Sequence, residues 1–275
     1  MSILSEIINY KKQEIEVRKI LVPEKELVKS QLFSKKHISL KQNLLDETRS
    51  GIIAEFKRRS PSKGIINAEA DIKKVTKAYT RFGATGISVL TDNHFFGGSS
   101  EDLVIARENT IPILRKDFII DRYQLFVSKA IGADVVLLIA ACLTKPKLKE
   151  LAWHAKQLDL EVMIEVHNEK ELGHICNDVD MIGINNRNLK NFKVDVDRAA
   201  KLSSLVQNGR PKIAESGIHD RETLELLRQV GFNGFLMGEI FMKEKDPGRA
   251  FGNFVDELQE GKEKIKNSKK KKNKV

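Results

Sequence analysis

Several common protein classes are excluded by what this chain lacks. Only two cysteines, Cys142 and Cys176, occur in 275 residues. They are too few for a disulfide framework and lack metal-ligand spacing, so both read as core thiols of a reducing compartment. No apolar run approaches the roughly 20 residues that a membrane-spanning helix requires. The first residues, Met1 to Ile8, mix apolar side chains with an early acid, Glu6. That pattern reads as an amphipathic helix rather than a secretory leader, and a cytoplasmic protein is expected. No Gly-x-Gly-x-x-Gly follows the first apolar segment, which counts against a dinucleotide site.

Charge, by contrast, is plentiful: 31% of residues are charged, 41% are apolar, and the net charge is +10. The last ten residues hold six lysines and no acid, leaving +4 for the remainder. Such a run has too little apolar content to fold alone, so residues 261–275 are expected to form a disordered basic tail. Without interleaved aromatics it signals no specific nucleic-acid partner. The smaller excess on the body suits anionic small molecules.

Eight short apolar segments recur along the chain: Gly51–Phe56, Gly86–Leu90, Ile111–Leu114, Val135–Ile139, Glu161–Ile164, Met181–Ile184, Lys212–Ala214 and Gly234–Met237. Their spacing is that of successive βα units. They are nearly continuous in Ile, Val and Leu, as parallel strands buried on both faces should be. Helical patterns fill the gaps at Ala68–Arg81, Asp121–Ile131, Thr144–Gln157 and Ser216–Val230, with Thr144 and Asp220 at capping positions and Gly83, Gly132 and Gly231 at the ends. Eight strands alternating with helices predict an α/β protein, a (β/α)8 TIM barrel over residues 49–260, with a doubly wound open sheet as the competitor. Residues 1–48 read as an N-terminal helical extension, with helices over Ile3–Ile20 and Pro23–Ser30 and a basic loop through Lys41. That extension is expected to cover one mouth of the barrel; the sequence does not indicate which.

A barrel places its chemistry at the C-terminal ends of its strands. The first segment ends in Ile52-Ile-Ala-Glu-Phe-Lys-Arg-Arg-Ser-Pro-Ser-Lys-Gly64, where strand alternation puts Glu55 and Lys57 on one face. Two opposite charges in an apolar strand are costly to bury unless paired or bound to a ligand. The other ends carry Phe95-Phe96-Gly97-Gly98-Ser99, Lys116-Asp117-Phe118, Glu165, Asn185 with Arg187, Glu215-Ser216-Gly217 and Gly238-Glu239. Six of the eight ends thus bring ionisable groups to one mouth. Lys57 and Lys116 are candidate general acids whose mutual repulsion should depress at least one pKa. Glu165, Glu55 and Glu215 offer a base and charge compensation. Gly217 and Gly238, each expected to open a helix, suit a phosphate, with Ser216 and Ser60 as hydroxyl donors. Phe96 and Phe118 suggest an aromatic wall, whereas Phe95 fits a core position equally well. No histidine ends a strand; His94 and His167 read as flanking residues, and no His/Cys/Asp group has metal spacing.

Six segments in register carry a resemblance. Ile53–Gly64, Ser88-Val-Leu-Thr-Asp92 with Phe96-Gly-Gly-Ser99, Pro112–Phe118, Gly183-Ile-Asn-Asn-Arg-Asn-Leu189, Ala214-Glu-Ser-Gly-Ile218 and Phe235-Leu-Met-Gly-Glu239 resemble the indole-3-glycerol-phosphate synthase family of tryptophan biosynthesis. The likeness spans about residues 1–258. It implies a lyase that closes the ring of 1-(2-carboxyphenylamino)-1-deoxyribulose 5-phosphate with loss of carbon dioxide and water, without metal or cofactor. By the same resemblance Lys116 matches the general acid, Glu165 the base of the dehydration, and Lys57 a carboxylate contact and second acid. Glu55, Asn185, Arg187, Glu215 and Ser216 match supporting positions, Ser60 a substrate contact, and Gly217, Gly238 and Glu239 the phosphate loops.

The chain departs from the family at Arg115, which should turn away from Lys116 toward the helix layer. It departs again at Glu239, where some members have a small hydroxyl residue and the backbone amide rather than the side chain suits a phosphate. Phosphoribosylanthranilate isomerase is disfavoured, since its cysteine and aspartate places hold Glu55 and Asn185. A non-catalytic binding protein working through its tail is the alternative of another class. The expected assembly is a monomer or weak homo-oligomer, with no specific nucleic-acid or membrane partner.

Overall fold

The computed structural model describes residues 2–186, 196–206 and 209–272. Its first helix, α1 (Ile3–Leu21), is capped by the Ser2 hydroxyl and buries Ile7, Lys11 and Ile15 on one face. A single turn, α2 (Glu24–Leu27), and a short helix, α3 (Leu40–Leu45), complete the extension. The barrel strands follow as β1 (Ile52–Phe56), β2 (Gly86–Leu90), β3 (Ile113–Lys116), β4 (Val135–Ile139), β5 (Glu161–Val166), β6 (Met181–Asn185), β7 (Lys212–Glu215) and β8 (Gly234–Met237). Between them lie α4 (Ile72–Arg81), α5 (Ser100–Ala106), α6 (Arg122–Ala130), a 3-10 turn at Ala140–Cys142, α7 (Lys145–Gln157), α8 (Glu169–Leu172), α9 (Val196–Leu205) and α10 (Arg221–Gln229). A turn, α11 (Glu239–Met242), and a long helix, α12 (Pro247–Lys272), end the chain.

All eight strands run parallel and the sheet closes, β1 pairing with both β2 and β8. The expected (β/α)8 barrel is therefore the observed one, and the open sheet is excluded. The strands begin and end within two residues of the apolar segments, because burial on both faces selects the same Ile, Val and Leu runs. Helix boundaries shift more. The helix expected from Ala68 begins at Ile72, where the Asp71 carboxylate accepts from the Lys74 amide and caps it. The helix expected from Ser216 begins at Arg221, capped by Asp220 at 2.7 Å from the Thr223 amide. Between β1 and α4 the Pro/Gly loop forms a small antiparallel ladder, Arg59–Ser60 against Gly64–Ile65.

The extension plugs the N-terminal mouth. Leu40 and Leu44 join Ile53, Leu114, Leu137, Met163 and Ile213 in the cluster that fills the barrel interior. Glu161, first residue of β5, accepts from the backbone amides of Leu40 and Lys41 and so caps α3. Helix α1 reaches the opposite end: the Lys11 ammonium lies 2.8 Å from Asp92 and 3.2 Å from Asp117, just beyond β2 and β3. The helix ring closes where α12 packs on α4, with Tyr79, Phe241 and Phe251 meeting edge to face at 5.1–6.3 Å between ring centroids. The backbone stays helical to Lys272, through most of the segment whose composition favours disorder. Glu and Lys are good helix formers, and α12 is anchored upstream by buried Phe251, Val255 and Leu258.

Candidate active site

Alternation along β1 turns Glu55 and Lys57 into the mouth, where Lys57 Nζ lies 2.7 Å from Glu55 Oε1. Arg58, on the other side, forms a two-pronged pair with Asp102 at 2.6 and 2.9 Å and never enters the mouth. Across the barrel, Lys116 at the end of β3 donates to Glu165 Oε2 of β5 at 3.0 Å and stands 3.6 Å from Glu215 Oε2 of β7. Asn185 of β6 donates to the other oxygen of Glu165 at 2.9 Å. Six of the anticipated residues (Glu55, Lys57, Lys116, Glu165, Asn185 and Glu215) therefore converge on one mouth, their carboxyl groups almost fully buried.

The electrostatics follow from that burial. Desolvation pulls the Lys116 pKa down, but Glu165, Glu215 and Glu55 together outweigh it and hold the ammonium above its ordinary range. The expected depression by lysine–lysine repulsion does not occur at Lys116, because these carboxylates surround it and their attraction prevails. Burial pushes the Glu165 carboxyl up, but Lys116, His167 and Asn185 overcome it and keep it below the carboxylate range. Glu215 goes the other way: burial, then the charges on Glu165 and Glu55, raise it to about 8. The site thus favours a protonated lysine and an ionised Glu165, while Glu215 is biased toward its neutral form.

His167, next but one to Glu165, is 3.1 Å from Glu165 Oε1 through Nε2 and 3.3 Å from Glu171 through Nδ1. Burial lowers its pKa, yet hydrogen bonds to the two glutamates raise it to about 9. It supports Glu165 from below, in keeping with its flanking position. Glu171 itself is not evident from the sequence; its position four residues beyond His167, one helical turn away, is the available signal. Asn186 escapes sequence reasoning as well. Fully buried, it donates to the Ser216 carbonyl at 2.9 Å and pins the turn after β7. Gly183 leaves the space Glu215 needs, since a Cβ there would collide with Glu215 Oε1.

At β7 and β8 the backbone shapes the second half of the site. Ser216 and Gly217 both take left-handed φ, +68° and +75°. That is uncommon for serine and typical of strained ligand-binding turns. Gly217 does not open a helix, as expected of it, because α10 begins four residues later. Gly238 does precede the turn α11. A Cβ on Gly238 would meet Glu55 Cβ at 2.8 Å, so the glycine lets β8 approach β1. Lys57, Glu55, Ser216, Gly217, Gly238 and Glu239 line one cavity of about 50 Å³. The Glu239 carboxylate is turned to Lys63 at 3.4 Å. A larger groove of about 700 Å³ lies between α10 and α12, but none of Lys57, Lys116, Glu165 or Glu215 lines it.

The remaining expectations divide. Phe96 and Phe118 face each other, centroids 6.0 Å apart, whereas Phe95 turns to Tyr10 and His94 of the α1 side. Arg115 points into the helix layer as anticipated, bonded to Thr91, Asp117, Ser128 and the Gln124 carbonyl. Ser60 sits on the ladder, 3.5 Å from the Ser62 hydroxyl, apart from the buried charges. Arg187 lies outside the described residues. No group of His, Cys, Asp and Glu among the described residues is arranged to hold a metal ion.

Fold and site together define a (β/α)8-barrel enzyme with a lysine–glutamate ion pair at its strand ends. The model of the family described as indole-3-glycerol phosphate synthase matches residues 4–254. An indole-3-glycerol phosphate synthase of Bacteroides thetaiotaomicron is 46% identical over 94% of this chain and 99% of its own length. One from Campylobacter jejuni subsp. jejuni is 41% identical over 90% and 98%. Among solved structures, a tryptophan synthase subunit alpha of Legionella pneumophila superposes with a TM-score of 0.60 at 14% identity, covering 80% of this chain and 97% of that one. At that identity the likeness shows the barrel alone. The chain belongs to the indole-3-glycerol phosphate synthase family, and it is a lyase of tryptophan biosynthesis.

Proposed function

We propose that this chain converts 1-(2-carboxyphenylamino)-1-deoxyribulose 5-phosphate to indole-3-glycerol phosphate, with the strand-end side chains dividing the work. The observation that carries this division is the 3.0 Å contact between Lys116 and Glu165, each held in the charged form its role requires. Lys116 enters as an acid. It gives a proton to the substrate's ketone oxygen as the ring carbon bearing the carboxylate attacks the carbonyl carbon. Loss of carbon dioxide then leaves its bonding electrons to restore the aromatic ring. The final step expels water: a proton leaves the carbon next to the ring nitrogen and the hydroxyl departs with a proton from an acid. Glu165 is the base for that proton, and Lys57, lodged against Glu55, is the acid for the hydroxyl.

Asn185 and His167 hold Glu165 in place during these steps. Neutral Glu215 limits the negative charge facing an anionic substrate. The phosphate suits the backbone amides around Ser216, Gly217, Gly238 and Glu239, and the anthranilate ring suits the space walled by Phe96 and Phe118. Ser60 and Arg187 complete the set as contacts to the substrate, in line with the family pattern. The partner is thus a small phosphorylated molecule met in the cytoplasm by a monomer or weak homo-oligomer.

The test is the appearance of indole-type fluorescence when the purified protein meets this substrate in the presence of a metal chelator. A signal from wild type that is lost in Lys116→Ala supports both the reaction and the acid. Folded wild-type protein giving no signal would overturn the reading.

A further inference from the structure

A lysine on the buried stripe of α1 is the least expected charge in this molecule. Lys11 stands between Ile7 and Ile15 at helical spacing, 1% exposed, where an apolar residue would be ordinary. Its ammonium meets three carboxylates: Asp92 at 2.8 Å, Glu14 at 2.8 Å and Asp117 at 3.2 Å. A buried ion cluster of this kind is weak evidence for stability, because an apolar side chain of similar size often serves as well. Its value must be sought in what it positions.

The two aspartates organise the two loops that carry Phe96 and Phe118. Asp92 Oδ1 accepts from the amides of Phe95 and Phe96 at 2.7 and 3.3 Å, while Asp92 Oδ2 has Lys11 as its partner among the described residues. Asp117 Oδ1 accepts from the Phe118 amide at 2.8 Å, and its Oδ2 takes Thr91 at 2.6 Å and Arg115 at 2.7 Å. A second contact from α1 braces the same loop: the Tyr10 ring stacks on His94 at 4.3 Å. Both oxygens of Asp117 thus keep other partners without Lys11, but Oδ2 of Asp92 does not. Removing the ammonium would leave one buried carboxylate oxygen unpaired, at the side chain that seats Phe96.

We propose that Lys11 is a positioning residue for the aromatic end of the substrate: by pairing with Asp92 it fixes the loop that presents Phe96 opposite Phe118. This rests on the reading of those two rings as the wall for the anthranilate ring. It assigns the N-terminal helix a part in ring binding, although Lys11 itself acts only through that loop.

The experiment uses the full chain and four variants, with folding checked by circular dichroism and thermal melting. In Lys11→Met the KM for the ring-bearing substrate should rise about tenfold while kcat stays within about threefold. Competitive inhibition by ribulose 5-phosphate, which has the phosphate but no aromatic ring, should be unchanged. Lys11→Met/Asp92→Asn should recover a KM near wild type, because the introduced amide oxygen still accepts the two backbone amides and the remaining aspartate, Asp117, keeps Thr91 and Arg115; Lys11→Arg should do so too. An unchanged KM in folded Lys11→Met overturns the proposal. So does a parallel loss of substrate and ribulose 5-phosphate affinity that the double variant fails to restore. Should Lys11→Met not fold, a further variant, Lys11→Gln, which likewise removes the ammonium, takes its place under the same KM criterion. Phe96→Leu tests the wall by itself: unchanged KM there removes the wall reading, whereas a raised KM there beside an unchanged KM in Lys11→Met removes only the role of Lys11.

Discussion

Lys116 Nζ and Glu165 Oε2 lie 3.0 Å apart across the barrel mouth, so the ammonium and the carboxylate hold one another charged. Glu165 is buried and Lys116 largely so, and each charge is sustained in large part by the other. The pairing keeps the proton available on Lys116 and the lone pair available on Glu165 at neutral pH.

Replacing Lys116 by alanine is expected to lower kcat by about 10³-fold, within the range for loss of a general acid. The fold should survive, because Glu165 keeps Asn185 and His167 as partners and can take up a proton. Steady-state fluorescence and circular dichroism together check this; retention of more than a tenth of the activity would remove Lys116 from its role.

Glu165→Gln keeps the shape of the base without its basicity. Ring closure and decarboxylation should proceed, so the hydroxylated intermediate that precedes dehydration should accumulate. Rapid quench of a single turnover, read by mass, distinguishes this from a block at the first step, which would leave only substrate.

Glu215 titrates at about 8 and His167 at about 9. Both folded-state pKa values lie above the unfolded ones, about 4.3 for glutamate and 6.5 for histidine. The stability each contributes is therefore complete below its unfolded pKa and is lost as pH rises through the folded value. Urea midpoints should fall as pH climbs from the unfolded values, about 4.3 and 6.5, to the folded ones at about 8 and about 9, and level off above them. Deprotonating Glu215 also adds negative charge beside an anionic substrate, so kcat/KM should decline above about pH 8. In Glu215→Gln that limb should move upward; an unmoved limb would assign it to another group.

Leu40→Ala truncates the N-terminal plug, far from the chemistry. Leu40 is fully buried within the interior cluster, so the loss should be about 2–5 kcal/mol in urea unfolding. Both kcat and KM should stay close to wild type while the protein remains folded. A large kcat loss in folded protein would show that the plug also governs the opposite mouth.

The strands and most strand-end residues are legible in the sequence because they depend on short-range pattern. Period-2 alternation sends Glu55 and Lys57 to one side of β1 and Arg58 to the other, and it turns Arg115 away from Lys116. Continuous apolar runs separated by capped helices specify eight parallel strands. Those signals are local and need no tertiary partner. The turn after β7 reads as a helix start in the sequence, because a left-handed serine leaves no trace in composition.

The tertiary structure alone decided who meets whom. Lys116 and Glu165 are 49 residues apart in sequence, and only barrel closure brings them together, so their charge states are not readable from local pattern. The same holds for the extension: amphipathicity announces helices, but only packing sends Leu40 into one mouth and Lys11 to the other. Local pattern determines which faces are buried; the partners of a buried charge are set by distances that arise when the whole ring closes.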